Sequence, residues 1–331
     1  MIYKNVELYN VEEIREDNDG LQLLRIPETL RSKLNDNAKN ASLYPSGCEI
    51  RFNLKSEICK IVLKGINGNG ICEVFFGDFF ESWRLIKGEP TEIEIRYPQN
   101  IEYLSKLSKE KNLKFDPKLV RVILPHLLIT KIVDIGGEFE LPRKNQTPKV
   151  KYLAYGSSIT HGATSLRPTG TYASKIAQIL NVDLINLGFG GGAHLEKEIA
   201  DYIAERDDWD FGTFELGINM VGGFEVDEFE KRVDYFIEKI VDKKPDKYLF
   251  FIDIFPFYMD FDNQEKQEKF REIVKNKVKE VNKDNVIHIS GFDILKSLKG
   301  LTFDILHPSP FGMEEMAYNL ANIMKSYGLV D

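Results

Sequence analysis

Two periodicities of apolar and polar residues divide the chain. From Gly47 to about Leu141 the period is two: CEIRFNLK (Cys48 to Lys55), TEIEIRY (Thr91 to Tyr97) and LVRVIL (Leu119 to Leu124) alternate apolar with polar positions, so one face of each strand meets a core and the other meets water. ICKIVLKGI and ICEVFFGDFF add β-rich runs on either side of the turn sequence NGNG, Asn67 to Gly70. Short strands without helical patterns between them predict an antiparallel, jelly-roll-like β-sandwich over residues 1–143. LPRKNQTPK (Leu141 to Lys149), polar and carrying two prolines, reads as a linker.

Beyond the linker the period changes. VKYLAY (Val150 to Tyr155), DLINLGF (Asp183 to Phe189), FGTFEL (Phe211 to Leu216), KYLFFIDIF (Lys247 to Phe255) and VIHIS (Val286 to Ser290) are apolar runs of strand length. Amphipathic patterns separate them: TYASKIAQIL, HLEKEIADYIAER, VDEFEKRVDYFIEKIV and the stretch from Gln264 to Val281. Strands alternating with such helices predict βαβ units and a mostly parallel sheet covered on both faces, occupying residues 150–331. A last helix is marked by Ser309 as N-cap, Pro310 at its first position and Gly328 beyond its end.

Composition narrows the function. A chain of 331 residues, 43% hydrophobic and 29% charged, has the make-up of a folded globular protein. Its net charge is −8 and its lysines are scattered among acidic residues on helix faces, so no basic stripe exists to engage nucleic acid. No apolar run reaches the length of a membrane span and the amino terminus lacks a signal-peptide pattern, which points to a cytoplasmic protein without a membrane partner. Three cysteines (Cys48, Cys59, Cys72) and five histidines show no metal-ligand spacing, so the thiols read as reduced and structural.

Candidate chemistry gathers where parallel strands end, because loops and helix N-termini converge there. The first such end carries Gly156-Ser157-Ser158, the second GFGGG (Gly188 to Gly192), the third Leu216-Gly217-Ile218-Asn219; after the last strand comes Asp304-Ile305-Leu306-His307-Pro308. Together they fill the roles of acyl transfer. A serine hydroxyl needs an imidazole to take its proton, and the imidazole needs a carboxylate to fix its tautomer; His307 and Asp304 can be that pair. The Asn219 amide, a backbone N–H of the glycine loop and the nucleophile's own N–H can stabilise an oxyanion. The glycine loop alone fits a phosphate cradle as well, but neither G-x-x-x-x-G-K-[ST] nor G-x-G-x-x-G is present.

GSSIT, the glycine at Gly191, Asn219 in LGIN and DILH resemble, in order, the four signature blocks of the SGNH hydrolase (GDSL esterase/lipase) superfamily. That resemblance implies a three-layer, flavodoxin-like α/β/α domain. It implies Ser158 rather than Ser157 as nucleophile, His307 and Asp304 as base and orienter, and Ser158, Gly191 and Asn219 as the oxyanion hole, with Gly190 as the alternative glycine. A β-sandwich ahead of such a domain is similar to carbohydrate esterases that deacetylate sugars. One departure stands out: the GDS of the pattern is Gly156-Ser157-Ser158, a hydroxyl where a carboxylate is usual, which predicts altered loop geometry rather than an inactive site.

The expectation is therefore a serine esterase that needs no metal or organic cofactor and acts on a small acyl ester, with an acetylated sugar as the preferred substrate. A lysophospholipase or thioesterase is the alternative within hydrolases, and a carbohydrate-binding protein with a vestigial hydrolase domain the alternative outside them. His161, three residues past Ser158, is a candidate for the first turn of a helix or for the substrate rim, and His194 for a helix start. Phe75, Phe76, Phe79, Phe80 and Trp83 read either as a sugar-stacking platform or as core.

Overall fold

The structure, a computed structural model, describes residues 1–262 and 265–329. Within residues 2–140 two antiparallel sheets face one another. One is seven-stranded, with the neighbours Ile2–Tyr3, Val6–Tyr9, Glu49–Leu54, Leu119–Ile123, Gly70–Phe76 and Phe79–Ile86, and with Phe139–Glu140 added beside Glu49–Leu54. The other has five strands, in the order Glu13–Asp17, Gly20–Leu24, Thr130–Gly136, Cys59–Gly65 and Thr91–Ile95. The alternating pattern of Cys59–Gly65 sends Cys59, Ile61 and Leu63 inward, where Phe52, Val74 and Val122 meet them from the opposite sheet. All three cysteines are buried and free, and burial pushes the Cys48 and Cys59 thiols up to about 12.

This region is not free of helices, as the pattern of two predicted: Ile101–Glu110 is helical between two strands. Of the five aromatics, Phe75 and Phe76 are buried, whereas Phe80 and Trp83 on the edge strand Phe79–Ile86 are exposed.

The carboxyl-terminal half is a three-layer α/β/α unit. Five parallel strands, Lys151–Gly156, Asp183–Gly188, Phe211–Glu215, Tyr248–Ile252 and Val286–Ile289, lie in the spatial order second, first, third, fourth, fifth. Buried on both sides, they read as continuous apolar runs. Leu153 and Tyr155 face the layer of helices Lys197–Glu205, Val226–Lys243 and Lys266–Val281. Tyr152 and Ala154 face Tyr172–Leu180 and Pro310–Lys325. Gln264, where the fourth helical pattern begins, lies outside the described residues. Among the described residues no helix is long and apolar enough to cross a membrane.

The two halves share a core. Ile26, Leu30, Leu34, Ala38 and Ala41, from an amino-terminal segment with two short helices (Glu28–Arg31 and Asp36–Ala41), pack into the hydrophobic cluster of the parallel sheet. Arg51 of the sandwich forms a bidentate pair with Asp183 at the start of the second parallel strand, both bonds 2.7 Å and both residues buried. Order reversal places the switch point between the first and third parallel strands, whose carboxyl ends carry Ser158 and Asn219.

Candidate active site

The first parallel strand ends at Gly156, and a single helical turn, Ser158–His161, follows at once. Ser157 caps it, its Oγ accepting the Ile159 N–H at 3.1 Å, and Gly162 ends it in the left-handed region at φ 110°. The turn lies flat on the strand ends only because they are glycine. A Cβ on Gly188 would stand 2.2 Å from the His161 nitrogen, and one on Gly156 would stand 2.3 Å from Thr160 Oγ1. Ser158 is left half-buried at the head of the turn.

His307 comes from a tight hairpin closed by the Leu301–Pro308 bridge and by the Thr302 N–H bonded to the His307 carbonyl at 2.8 Å. At its tip Ile305 takes φ 50°, a costly conformation for a β-branched residue; the Tyr258 N–H holds its carbonyl at 2.7 Å. The hairpin folds around Asp304. One carboxylate oxygen accepts Thr302 Oγ1 at 2.7 Å and the Leu306 and His307 N–H groups at 2.9 and 3.0 Å; the other accepts His307 Nδ1 at 2.7 Å. Burial opposes the Asp304 charge, but the bonds from His307 and Thr302 and from the two backbone amides outweigh it and hold the carboxyl well below the usual carboxylate range. His307 Nε2 then stands 2.8 Å from Ser158 Oγ. The structure thus brings Ser158, His307 and Asp304 into one hydrogen-bonded line, with the imidazole placed to accept the serine proton.

The glycine loop lies beside Ser158, and Asn219 is tied to that loop. Asn219 Oδ1 accepts the Ala193 N–H at 3.1 Å, which fixes the carboxamide and leaves Nδ2 with no acceptor among the described residues. Gly190 is the glycine that faces the nucleophile: a Cβ there would stand 3.7 Å from Ser158 Cβ. Gly191, at φ 67°, turns toward Asn37, whose Nδ2 donates to its carbonyl at 3.0 Å.

Sequence reading missed what supports this loop. The amino-terminal helix Asp36–Ala41 stands under it, and its cap Asn35 donates through Nδ2 to the Gly192 carbonyl at 2.9 Å. At the loop's base the wholly buried Arg25 donates to the Gly188 and Asn186 carbonyls at 2.8 and 3.0 Å; burial without a carboxylate partner lowers it to about 10, so it stays a cation. Nothing in the local pattern of residues 25–41 announces contacts with a loop more than 150 residues away.

His161 ends the helical turn that begins at the nucleophile, in keeping with one of its two readings. His161 is not on a rim. It is buried, its Nε2 is 2.8 Å from the His126 carbonyl and its ring meets Tyr44 edge-on, because a helical turn this short sends its last side chain back into the seam with the sandwich. His194 precedes the helix Lys197–Glu205 rather than starting it, and packs edge-on against Phe224. A cavity of about 410 Å³ at the seam, lined by Phe80, Phe115, Asp78 and Arg121 among others, includes none of Ser158, Asp304 and His307.

The model of the GDSL-like lipase/acylhydrolase family matches residues 149–325. The chain belongs to that family. As a GDSL-like acylhydrolase it is a carboxylic ester hydrolase. No curated protein sequence matches the chain. Among solved structures, the salicylyl-acyltransferase SsfX3 from a tetracycline biosynthetic pathway superposes with a TM-score of 0.81 at 16% identity, over 98% of this chain and 95% of that one. A protein described as a GDSL-like lipase from Bacteroides ovatus gives 0.72 at 18% identity, over 97% of each chain. A family two carbohydrate esterase from Clostridium thermocellum, in complex with cellohexaose, gives 0.64 at 13% identity, over 97% of this GDSL-like chain and 98% of that one. At these identities the likeness is one of fold, and it runs through the sandwich as well as the parallel sheet.

Proposed function

We propose that this GDSL-like hydrolase cleaves small acyl esters, acetyl esters of carbohydrates foremost, through an acyl-enzyme on Ser158. His307 Nε2 takes the Ser158 proton as Oγ attacks the ester carbonyl carbon. The carbonyl oxygen becomes an oxyanion, held by the Ser158 N–H, Asn219 Nδ2 and an N–H of the glycine loop, that of Gly190, which faces the nucleophile, or that of Gly191. As the tetrahedral centre collapses, His307 hands the proton to the leaving alcohol, and a water repeats the sequence to release the acid. Asp304 holds the Nδ1 tautomer and balances the imidazolium.

The observation that carries this reading is the pair of contacts at His307, 2.8 Å to Ser158 and 2.7 Å to Asp304, in a line that needs no rearrangement. It speaks against a vestigial site. The carbohydrate preference rests on the two-part likeness to carbohydrate esterases, and a cytoplasmic setting would suit deacetylation of imported oligosaccharides. The likeness to a salicylyl-acyltransferase favours a second reading, in which an alcohol rather than water takes the acyl group from Ser158.

Hydrolysis of p-nitrophenyl acetate, p-nitrophenyl octanoate and a panel of acetylated sugars tests the proposal. Turnover of acetyl esters, abolished in Ser158→Ala but only lowered in kcat in Ser157→Ala, which keeps the nucleophile and loses one of the bonds that hold its turn, is expected. Faster turnover of octanoate would favour a lipid or thioester substrate, and acceleration by added alcohols with ester exchange would favour transfer.

A further inference from the structure

Directly beneath the nucleophile turn lies a carboxylate that the reaction just described does not use. Glu215, the last residue of the third parallel strand, is 2% exposed. Its Oε2 accepts the Ser157 N–H at 2.9 Å and Thr160 Oγ1 at 2.8 Å, and its Oε1 accepts Ser157 Oγ at 2.7 Å. Thr160 Oγ1 in turn lies 2.7 Å from the Tyr172 hydroxyl. Among the described residues no lysine, arginine or histidine bonds to it. Burial raises the Glu215 carboxyl, hydrogen bonds from Ser157 and Thr160 work in the opposite direction, and the buried Tyr155 and Tyr172 hydroxyls feel its charge. A carboxylate this deep persists only where its lone pairs find donors, and here every donor comes from the turn that flanks Ser158.

We infer that Glu215 is a positioning residue for Ser158: it supplies from the third strand the carboxylate that the GDS pattern places beside the nucleophile, with Ser157 as its complementary donor. This rests on the proposed role of Ser158. Glu215 fixes residues 157 and 160, on either side of the nucleophile, and thereby the direction of the Ser158 Cα–Cβ bond toward His307. Gly156 belongs to the same device, because a Cβ there would stand 2.4 Å from Glu215 Oε2. The hydroxyl at 157 is then a consequence rather than a defect. A carboxylate at that position would face Glu215 at hydrogen-bond distance in a buried setting, where two like charges cannot both persist.

The consequence runs against the family pattern. Ser157→Asp, which restores GDS, is harmful on its own and is rescued by Glu215→Gln, which removes the opposing charge while leaving a carboxylate at the turn. The experiment measures kcat and KM for p-nitrophenyl acetate against pH in the wild type, Glu215→Gln, Ser157→Asp and the double variant, with fluorophosphonate labelling of Ser158 in each. Glu215→Gln is expected to lower kcat by up to about 10²-fold with KM nearly unchanged, as a misplaced nucleophile does. Ser157→Asp is expected to lose activity at neutral pH and the double variant to regain at least half of that loss on a logarithmic scale.

A wild type that is active and labelled at Ser158, with kcat unchanged in Glu215→Gln or with a double variant no better than Ser157→Asp, would overturn the inference while leaving the hydrolase reading intact. A wild type that neither turns over esters nor labels at Ser158 overturns that reading and this inference with it. Should Glu215→Gln fail to fold, Thr160→Val removes one donor and leaves the carboxylate; a severalfold fall in kcat at constant KM supports the role, and an unchanged kcat contradicts it.

Discussion

Asp304 Oδ2 lies 2.7 Å from His307 Nδ1, and its other oxygen is saturated by Thr302, Leu306 and His307 donors. The carboxylate is therefore fixed from one side and directs the imidazole from the other. Asp304→Asn keeps the shape but presents the wrong group to Nδ1, and is expected to lower kcat by about 10³- to 10⁴-fold. Because the folded Asp304 carboxyl is held below its ordinary range, its contribution to stability is present at neutral pH and is lost as pH falls through that depressed value. Steady-state kinetics and urea titrations of this one variant check both statements.

The Asn219 carboxamide is anchored through Oδ1 to Ala193, which leaves Nδ2 for the substrate. Asn219→Ala is expected to cost about 10²- to 10³-fold in kcat, the scale of losing one oxyanion donor, with KM changed little. A change confined to KM would place Asn219 in ground-state binding instead.

Arg51 and Asp183 tie the sandwich to the parallel sheet, and Arg51 also pairs with Glu49 at 2.8 Å and lies over the Tyr9 ring. Removing one partner of a buried pair leaves the other charge stranded, so Arg51→Met is expected to destabilise the protein by about 3–5 kcal/mol. Since residues 26–41 also pack into the core of the parallel sheet, both halves are expected to unfold in one transition, and residues 150–331 expressed alone are expected not to fold. Urea unfolding followed by near- and far-ultraviolet circular dichroism reads both outcomes.

At the same seam burial pushes the His126 imidazole down to about 4 and that of His161 down to about 3. Both stay neutral in the fold while the unfolded chain protonates them near the ordinary value of about 6.5. Their contribution is full above that value and drains away as pH falls below it toward the folded values. The urea midpoint is expected to drop between pH 7 and pH 5, and to drop less in His161→Gln; an equal drop in the variant would show that the acid sensitivity lies elsewhere.

Much of this was legible in the chain because periodicity reports which faces are buried. The five apolar runs from Val150 onward became the parallel strands, and the loops at their carboxyl ends converged because parallel strands all point one way. What escaped the reading are relationships without a local signature. Glu215 looks like an ordinary strand residue in FGTFEL, and only the fold reveals donors from Ser157, 58 residues earlier. Residues 28–41 form helices too short to show a period, and the helix Ile101–Glu110 was hidden among strands although Ile101, Leu104 and Leu107 recur at helical spacing. His161 lies in the first helical turn but not at a substrate rim, because nearness to Ser158 in sequence says nothing about which side of a four-residue turn a side chain leaves.

The central claim is that the Ser158 oxygen carries the acyl group. Rapid mixing with p-nitrophenyl acetate, acid quenching and mass spectrometry of the peptide containing Ser158 tests it most directly. An acetyl adduct on Ser158 that forms with the first turnover and disappears at the rate of deacylation is the expected result. Ester turnover at the wild-type rate in Ser158→Ala, with no adduct in the wild type, would contradict it.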